Sequence, residues 1–132
     1  MTKNQKVTPF LTFAGNAEVA MNFYVSVFSG KIISIVYIPK DGPGEEGKVL
    51  HGVFEILGQT FMALDMEKEY AVPFSWATSF YIDCATEDEF DFLFGKLSDG
   101  GSVMMGPEPV LDLRKVAWVT DKFGVTWQPV WK

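Results

Sequence analysis

Two stretches of this chain repeat one another. Gly58-Gln59-Thr60-Phe61-Met62 parallels Gly124-Val125-Thr126-Trp127-Gln128, each with glycine at a turn, threonine two residues later and an aromatic three later. A period of roughly 70 residues is too long for a solenoid unit and suits a duplicated module. The whole chain has 132 residues, which fits one domain (1–132) with a real core. Apolar residues make up 48% and aromatics 15%, so it is globular rather than disordered.

The order of elements carries the same repeat. Val7 to Phe13 is apolar and β-branched and reads as a strand, with Pro9 marking an edge or a bulge because it lacks an N–H. Asn16 is placed as the N-cap of a helix whose stripe is Val19, Ala20, Phe23, Tyr24, Val27 and Phe28, and Gly30 stops it. Strands follow at Lys31–Ile38, Lys48–Leu57 and Thr60–Asp65, with a charged, turn-rich loop over 40–47 and a tight turn at Gly58-Gln59. This first βαβββ module spans 7–65.

The second module spans 77–131. Ala77 to Asp83 is a strand. Thr86 and Glu89 form a capping box before a stripe of Phe90, Leu93, Phe94 and Leu97. Ser102–Met105 is a short strand, 106–113 a proline-containing loop, and Lys115–Asp121 and Val125–Trp131 are strands joined around Phe123-Gly124. The fold class is therefore α+β. Each module buries one sheet face on its helix, and two of them leave the other faces to curl into a mixed-sheet cup.

Composition excludes several functions. The net charge is −6, and no basic patch is available to replace phosphate counterions, so nucleic acid is not an expected partner. No stretch approaches the roughly 20 apolar residues of a membrane helix. Met1 to Lys6 has no apolar run behind its lysines and is not a secretory signal. The single cysteine, Cys84, forms no internal disulfide and fits a reducing cytoplasm; the only histidine is far from it in sequence, so it reads as core or bystander.

The candidate site residues follow from strand alternation. Gln128 lies on the face opposite Trp127. If Trp127 packs on a helix, Gln128 points into the cup, either to orient a polar ligand or as a satisfied buried amide. His51 lies mid-strand, and with a reference pKa of ~6.5 it suits a general acid or base, a single metal ligand, or a surface or subunit contact. Glu55 shares its face, as a proton relay or a plain cross-strand pair. Tyr81 alternates with Phe80 and Ile82, which sends its hydroxyl toward the cup. Met62, Leu64 and Met104 supply soft walls. Trp76, Trp118, Trp127 and Trp131 read mostly as core. Such a pocket suits a small, largely apolar or aromatic molecule.

Gly15-Asn16-Ala17-Glu18 with Asn22-Phe23-Tyr24, His51-Gly52-Val53-Phe54, Gly58 to Asp65 and Thr120 to Gln128 together resemble the PhnB-like branch of the vicinal oxygen chelate (glyoxalase/bleomycin-resistance/dioxygenase) superfamily. The resemblance covers about Val7 to Trp131. It implies the glyoxalase/bleomycin-resistance fold and a homodimer. Many members of the branch carry the name 3-demethylubiquinone-9 3-methyltransferase. Against that name, no glycine-rich turn between a parallel strand and a helix is present to receive S-adenosylmethionine.

Metal-dependent relatives hold an ion with His, Gln or Glu on the first and last strands of each half. The resemblance maps those positions to Thr8 or Pro9, Met62 or Ala63, Thr78 or Ser79, and Gln128. Of these only Gln128 carries a suitable donor, and one neutral amide does not hold a divalent ion. No cofactor is therefore expected. The lesser expectation is a metal-dependent lyase, isomerase or dioxygenase drawing on His51, Glu55 and Gln128.

Overall fold

The protein is described by a computed structural model over residues 4–132; Met1, Thr2 and Lys3, which begin the stretch expected not to be a secretory signal, lie outside the described residues. The chain divides into one unit ending at Val72 and a second beginning at Pro73.

In the first unit, β1 (Phe10–Phe13), α1 (Ala17–Val27), β2 (Lys31–Tyr37), β3 (Val49–Ile56) and β4 (Gln59–Asp65) form a four-stranded sheet of order β1-β4-β3-β2. β1 runs parallel to β4 and the other pairs are antiparallel. Pro9 immediately precedes the edge strand β1, where a missing N–H is tolerated, and its carbonyl accepts from Met62 N at 2.9 Å. The hairpin between β3 and β4 turns on Leu57 and Gly58, both at positive φ (49° and 75°), which suits the right-handed twist of its strands.

α1 packs on one face of this sheet, but its buried stripe is Ala17, Ala20, Met21, Tyr24 and Val27. Of the expected stripe, Ala20, Tyr24, Val27 and Phe28 are buried; Val19 is instead 62% exposed, and Ala17 and Met21 complete the buried face. Tyr24 stacks on Phe54 at 6.0 Å and Phe54 on Phe61 at 5.4 Å. Burying a phenylalanine such as Phe54 stabilises by about 1.5–3 kcal/mol. Asn16 makes no side-chain capping bond. The Asp65 carboxylate takes that role from the end of β4, accepting from Gly15 N and Ala17 N, both at 2.9 Å. Ser29, not Gly30, adopts the left-handed backbone at the helix end. Gly30 is required for another reason: a Cβ there would lie 2.0 Å from the Glu55 carbonyl oxygen.

In the second unit, β5 (Phe80–Cys84), α2 (Glu87–Ser98), β6 (Ser102–Val110), β7 (Leu113–Thr120) and β8 (Thr126–Trp131) form a sheet of order β5-β8-β7-β6, with the same pattern of parallel and antiparallel pairs. The same connectivity in both units makes two tandem βαβββ modules. Thr86 caps α2 by accepting from Glu89 N at 3.1 Å, and Glu89 reaches back to accept from Ala85 N at 2.6 Å. Phe90, Leu93 and Leu97 face the sheet. Lys115 of β7 pairs with Glu87 at 2.7 Å and Asp91 at 2.9 Å on the helix surface.

The proline-containing loop expected over 106–113 is instead the second half of β6. The strand continues to Val110 through register shifts, and only Leu111 and Asp112 form the turn. Prolines are compatible with this ladder because β6 is an edge strand with bulges. β5, conversely, begins three residues later than expected, at Phe80. No helix among the described residues is long and apolar enough to cross a membrane.

Candidate functional site

Each sheet has one face on its helix and one face turned away, and the strand registers sort the candidate residues between them. In the first unit, Leu11, Phe13, Phe54, Ile56, Phe61 and Ala63 are buried on the α1 side. A Cβ on Gly52 would meet the Met21 sulfur at 2.6 Å, which fixes the even-numbered residues of mid-β3 toward α1. His51, Val53 and Glu55 therefore lie on the other face. Cross-strand pairing there gives a row of Phe10, Met62, Val53 and Ser34, one residue from each strand. The His51 ring lies 5.8 Å from that of Phe10.

His51, Glu55 and Met62 thus share one face. His51 and Glu55 do not form a direct pair, because four residues along a strand span about 13 Å. Glu55 instead sits opposite Lys31 on β2 and Thr60 on β4.

In the second unit, Lys115 reaches the acidic side chains of α2, and Ile82, Cys84, Ala117, Val119 and Trp127 are buried on the helix side. Trp127 is fixed there: its indole Nε1 donates to Asp121 Oδ2 at 2.9 Å, while Asp121 Oδ1 accepts from Phe123 N and Val125 N. Alternation then places Gln128 on the face turned away from α2. Tyr81 pairs with Gln128, and Met105 with Trp118. Trp118, lying between the pairs Val116–Val130 and Val119–Trp127, falls opposite Gln128. The row across this sheet is Tyr81, Gln128, Trp118 and Met105.

Gln128 Nε2 donates to Ser79 Oγ at 2.9 Å, which leaves its side-chain oxygen to accept. Tyr81 is 54% exposed. The Trp118 indole N–H is buried and finds no acceptor among the described residues. Trp76 packs against Trp118 edge-on at 5.6 Å, and the two line a shallow hollow of about 530 Å³ with Ser75 and Ala77. Trp76 is not core but 60% exposed. By type and position Trp118 belongs with the core aromatics, yet it lies on this face. Its position across the Phe123-Gly124 turn from Gln128 is the signal that assigns it to this face.

A second hollow, about 580 Å³, lies at the start of α1, lined by Gly15, Asn16, Lys48, Asp65 and others. Two of its polar side chains, Asp65 and Lys48, are committed to the fold. Asp65 accepts from three backbone N–H groups, those of Gly15, Ala17 and Val49, and Lys48 Nζ donates to the Gly15 carbonyl. The apolar, aromatic row of the second unit is the better candidate for a ligand.

The residues at the expected metal positions do not suit a hard divalent ion. Thr8 and Pro9 precede β1, Ala63 is buried on the α1 side, and Met62 offers only a thioether. Thr78 and Ser79 precede β5, and Ser79 is bonded to Gln128. Hydroxyl, thioether and one neutral amide lack the carboxylate and imidazole donors such ions take. Among the described residues, no three His, Cys, Asp or Glu side chains converge.

The sequence profile of the 3-demethylubiquinone-9 3-methyltransferase family matches residues 5–130. Among solved structures, the PhnB protein from Bacillus cereus is similar at 41% identity and a TM-score of 0.86, covering 97% of this chain and 100% of that one. A protein from Pseudomonas aeruginosa is similar at 24% identity and a TM-score of 0.87, with 98% of both chains covered. A glyoxylase/bleomycin resistance protein/dioxygenase domain from Frankia shares the fold at 10% identity and a TM-score of 0.68, over 97% of both chains. No curated protein matches the chain.

Proposed function

This chain belongs to the PhnB-like, 3-demethylubiquinone-9 3-methyltransferase family of the vicinal oxygen chelate superfamily, and from that membership we propose that it binds a small, largely apolar molecule without a metal ion. The observation that carries the reading is the substitution pattern on the faces turned away from the helices. Where metal-dependent relatives would hold an ion, this chain has Met62 and Gln128, set in rows with Phe10, Val53, Tyr81 and Trp118. Those side chains offer apolar and aromatic surface with a few hydrogen-bonding groups, the usual make-up of a small-molecule site.

The family's name mentions methyl transfer, and the chain's residues give that reaction little support. The turn from β1 into α1 contains a single glycine, Gly15, and its N–H groups are already bonded to Asp65. We further propose a homodimer in a reducing cytoplasm. Support comes from the buried free thiol of Cys84 and from apolar residues exposed on the edge strands, Val36 of β2 and Val103 of β6.

Thermal melting with and without added compounds tests the proposal. An apolar aromatic probe such as 2-ethylnaphthalene is expected to raise Tm. Prior dialysis against EDTA and addition of Zn²⁺ or Mn²⁺ are expected to leave Tm unchanged. S-adenosylmethionine is also expected to do nothing, whereas a true ligand at a hundred times its Kd would stabilise by ~2.7 kcal/mol. Stabilisation by a metal, lost in His51→Gln, would favour a metal-dependent lyase, isomerase or dioxygenase instead.

A further inference from the structure

The two modules are copies, yet the rows on their outward faces have diverged. In the first unit the row reads Phe10, Met62, Val53, Ser34. In the second the equivalent strands supply Tyr81, Gln128, Trp118 and Met105. The repeat sets Gln128 against Met62, and the same strand pairing sets Trp118 against Val53. Two apolar positions of one module have thus become hydrogen-bonding positions in the other, and Tyr81 adds a phenol where the first module has the benzene ring of Phe10.

These groups lie side by side. Gln128 is held by Ser79 through its amide nitrogen, which fixes the direction of its free oxygen. Trp118 keeps a buried indole N–H with no acceptor among the described residues, an arrangement that is costly unless something else satisfies the group. Trp76 stands edge-on to Trp118 with most of its ring exposed, and the hollow they line is otherwise walled by Ser75 and Ala77. Indole donates and does not accept, so its missing partner is an acceptor. An exposed indole face beside it favours a flat, apolar body.

We infer that the second unit's outward face takes a planar aromatic ligand carrying an acceptor oxygen, with the oxygen received by the Trp118 indole N–H and the ring held against Trp76. This inference rests on the proposed binding of an apolar molecule and adds the polar anchor and its address. The hollow brings Trp118 within reach beside the exposed Trp76 ring. Tyr81 and Gln128, next along the row, are positioned to meet a second polar group on the same ligand.

The test is a titration of ¹⁵N-labelled protein followed through its four indole N–H signals. Two probes of nearly equal shape are used, 2-acetylnaphthalene, which has a ketone oxygen, and 2-ethylnaphthalene, which has none. Both are expected to shift the Trp76 signal. Only the ketone is expected to move the Trp118 signal downfield, and it binds about three- to tenfold more tightly, the gain of one hydrogen bond. In Trp118→Phe that advantage disappears while the Trp127 signal, bonded to Asp121, reports an intact fold. Equal binding of both probes with an unmoved Trp118 signal overturns the inference and leaves the apolar-binding reading standing. Binding of neither probe overturns both.

Discussion

Asp65 should hold the first module together in a way that Asn16 does not. Its carboxylate accepts from Gly15 N and Ala17 N through Oδ1 and from Val49 N through Oδ2, each at 2.9 Å. One residue therefore ties the end of β4 to the start of α1 and the start of β3. Asp65→Ala removes a helix cap worth about 0.5–2 kcal/mol and the attraction of a negative charge for the helix N-terminus, about 0.3–1 kcal/mol. It also strands the N–H of Val49, which is 1% exposed, at a cost of about 1–3 kcal/mol. The hollow beside Gly15 admits water, which offsets part of the helix loss, so the expected total is about 3 kcal/mol. Asp65→Asn keeps one oxygen for the helix and sets an amide donor against the Val49 donor, for a loss of about 1–2 kcal/mol. Asn16→Ala, at a position with no side-chain capping bond, should stay within about 0.5 kcal/mol of the parent. Urea unfolding with linear extrapolation measures all three. An Asn16→Ala loss equal to that of Asp65→Ala, or an Asp65→Asn protein as stable as the parent, would refute the argument.

Three further outcomes are expected. Gly30→Ala should destabilise by more than about 2 kcal/mol and Gly52→Ala by less, because the added methyl meets a fixed carbonyl oxygen at 2.0 Å in the first case and the movable end of Met21 in the second; equal losses in urea titrations would contradict this. Trp127→Phe should cost about 2–3 kcal/mol in the same assay, since Asp121, 3% exposed, loses the indole donor to its Oδ2. Burial pushes the Cys84 thiol up to about 11, so it should resist thiol reagents at pH 8 until the protein unfolds. The native thiol stays protonated where an unfolded one, near 8.5, ionises. Stability should therefore fall as pH rises from about 8.5 toward 11, and Cys84→Ser should flatten that decline.

What was legible in the sequence is what repeats. Glycine, threonine and aromatic at matching places in two hairpins fix two modules, and alternation about Trp127 fixes the side on which Gln128 lies. Both signals are local, since a strand's period of two needs no knowledge of its neighbours. What was hidden depends on residues distant in sequence. Asn16 is a sound cap by type, but Asp65, some fifty residues on, arrives through the parallel pairing of β1 with β4 and takes the same N–H groups. Gly30 stands just past its helix, but Ser29 takes the left-handed backbone there, and glycine at 30 is needed because the Glu55 carbonyl approaches closely. The prolines of β6 suggested a loop, yet an edge strand with bulges accommodates them, and nothing in that segment alone identifies it as an edge.

The same distinction explains why the candidate site was only half visible. Sharing a face says nothing of distance along a strand: His51 and Glu55 agree in parity and are still about 13 Å apart. Trp118 shows the opposite case. Its neighbours Ala117 and Val119 are core, and a tryptophan between them reads as one more filler of the interior. Only the pairing of β7 with β8 brings it level with Gln128, and only there does its indole N–H become a buried donor awaiting an acceptor. Duplication supplied two equivalent faces turned away from the helices, and at three of the four row positions the second module carries a hydrogen-bonding side chain where the first carries an apolar one. A protein whose outward rows served packing alone would have no use for an indole donor, a phenol and a fixed amide oxygen on one of them. The asymmetry between copies of one module is therefore the strongest mark of function that this chain carries.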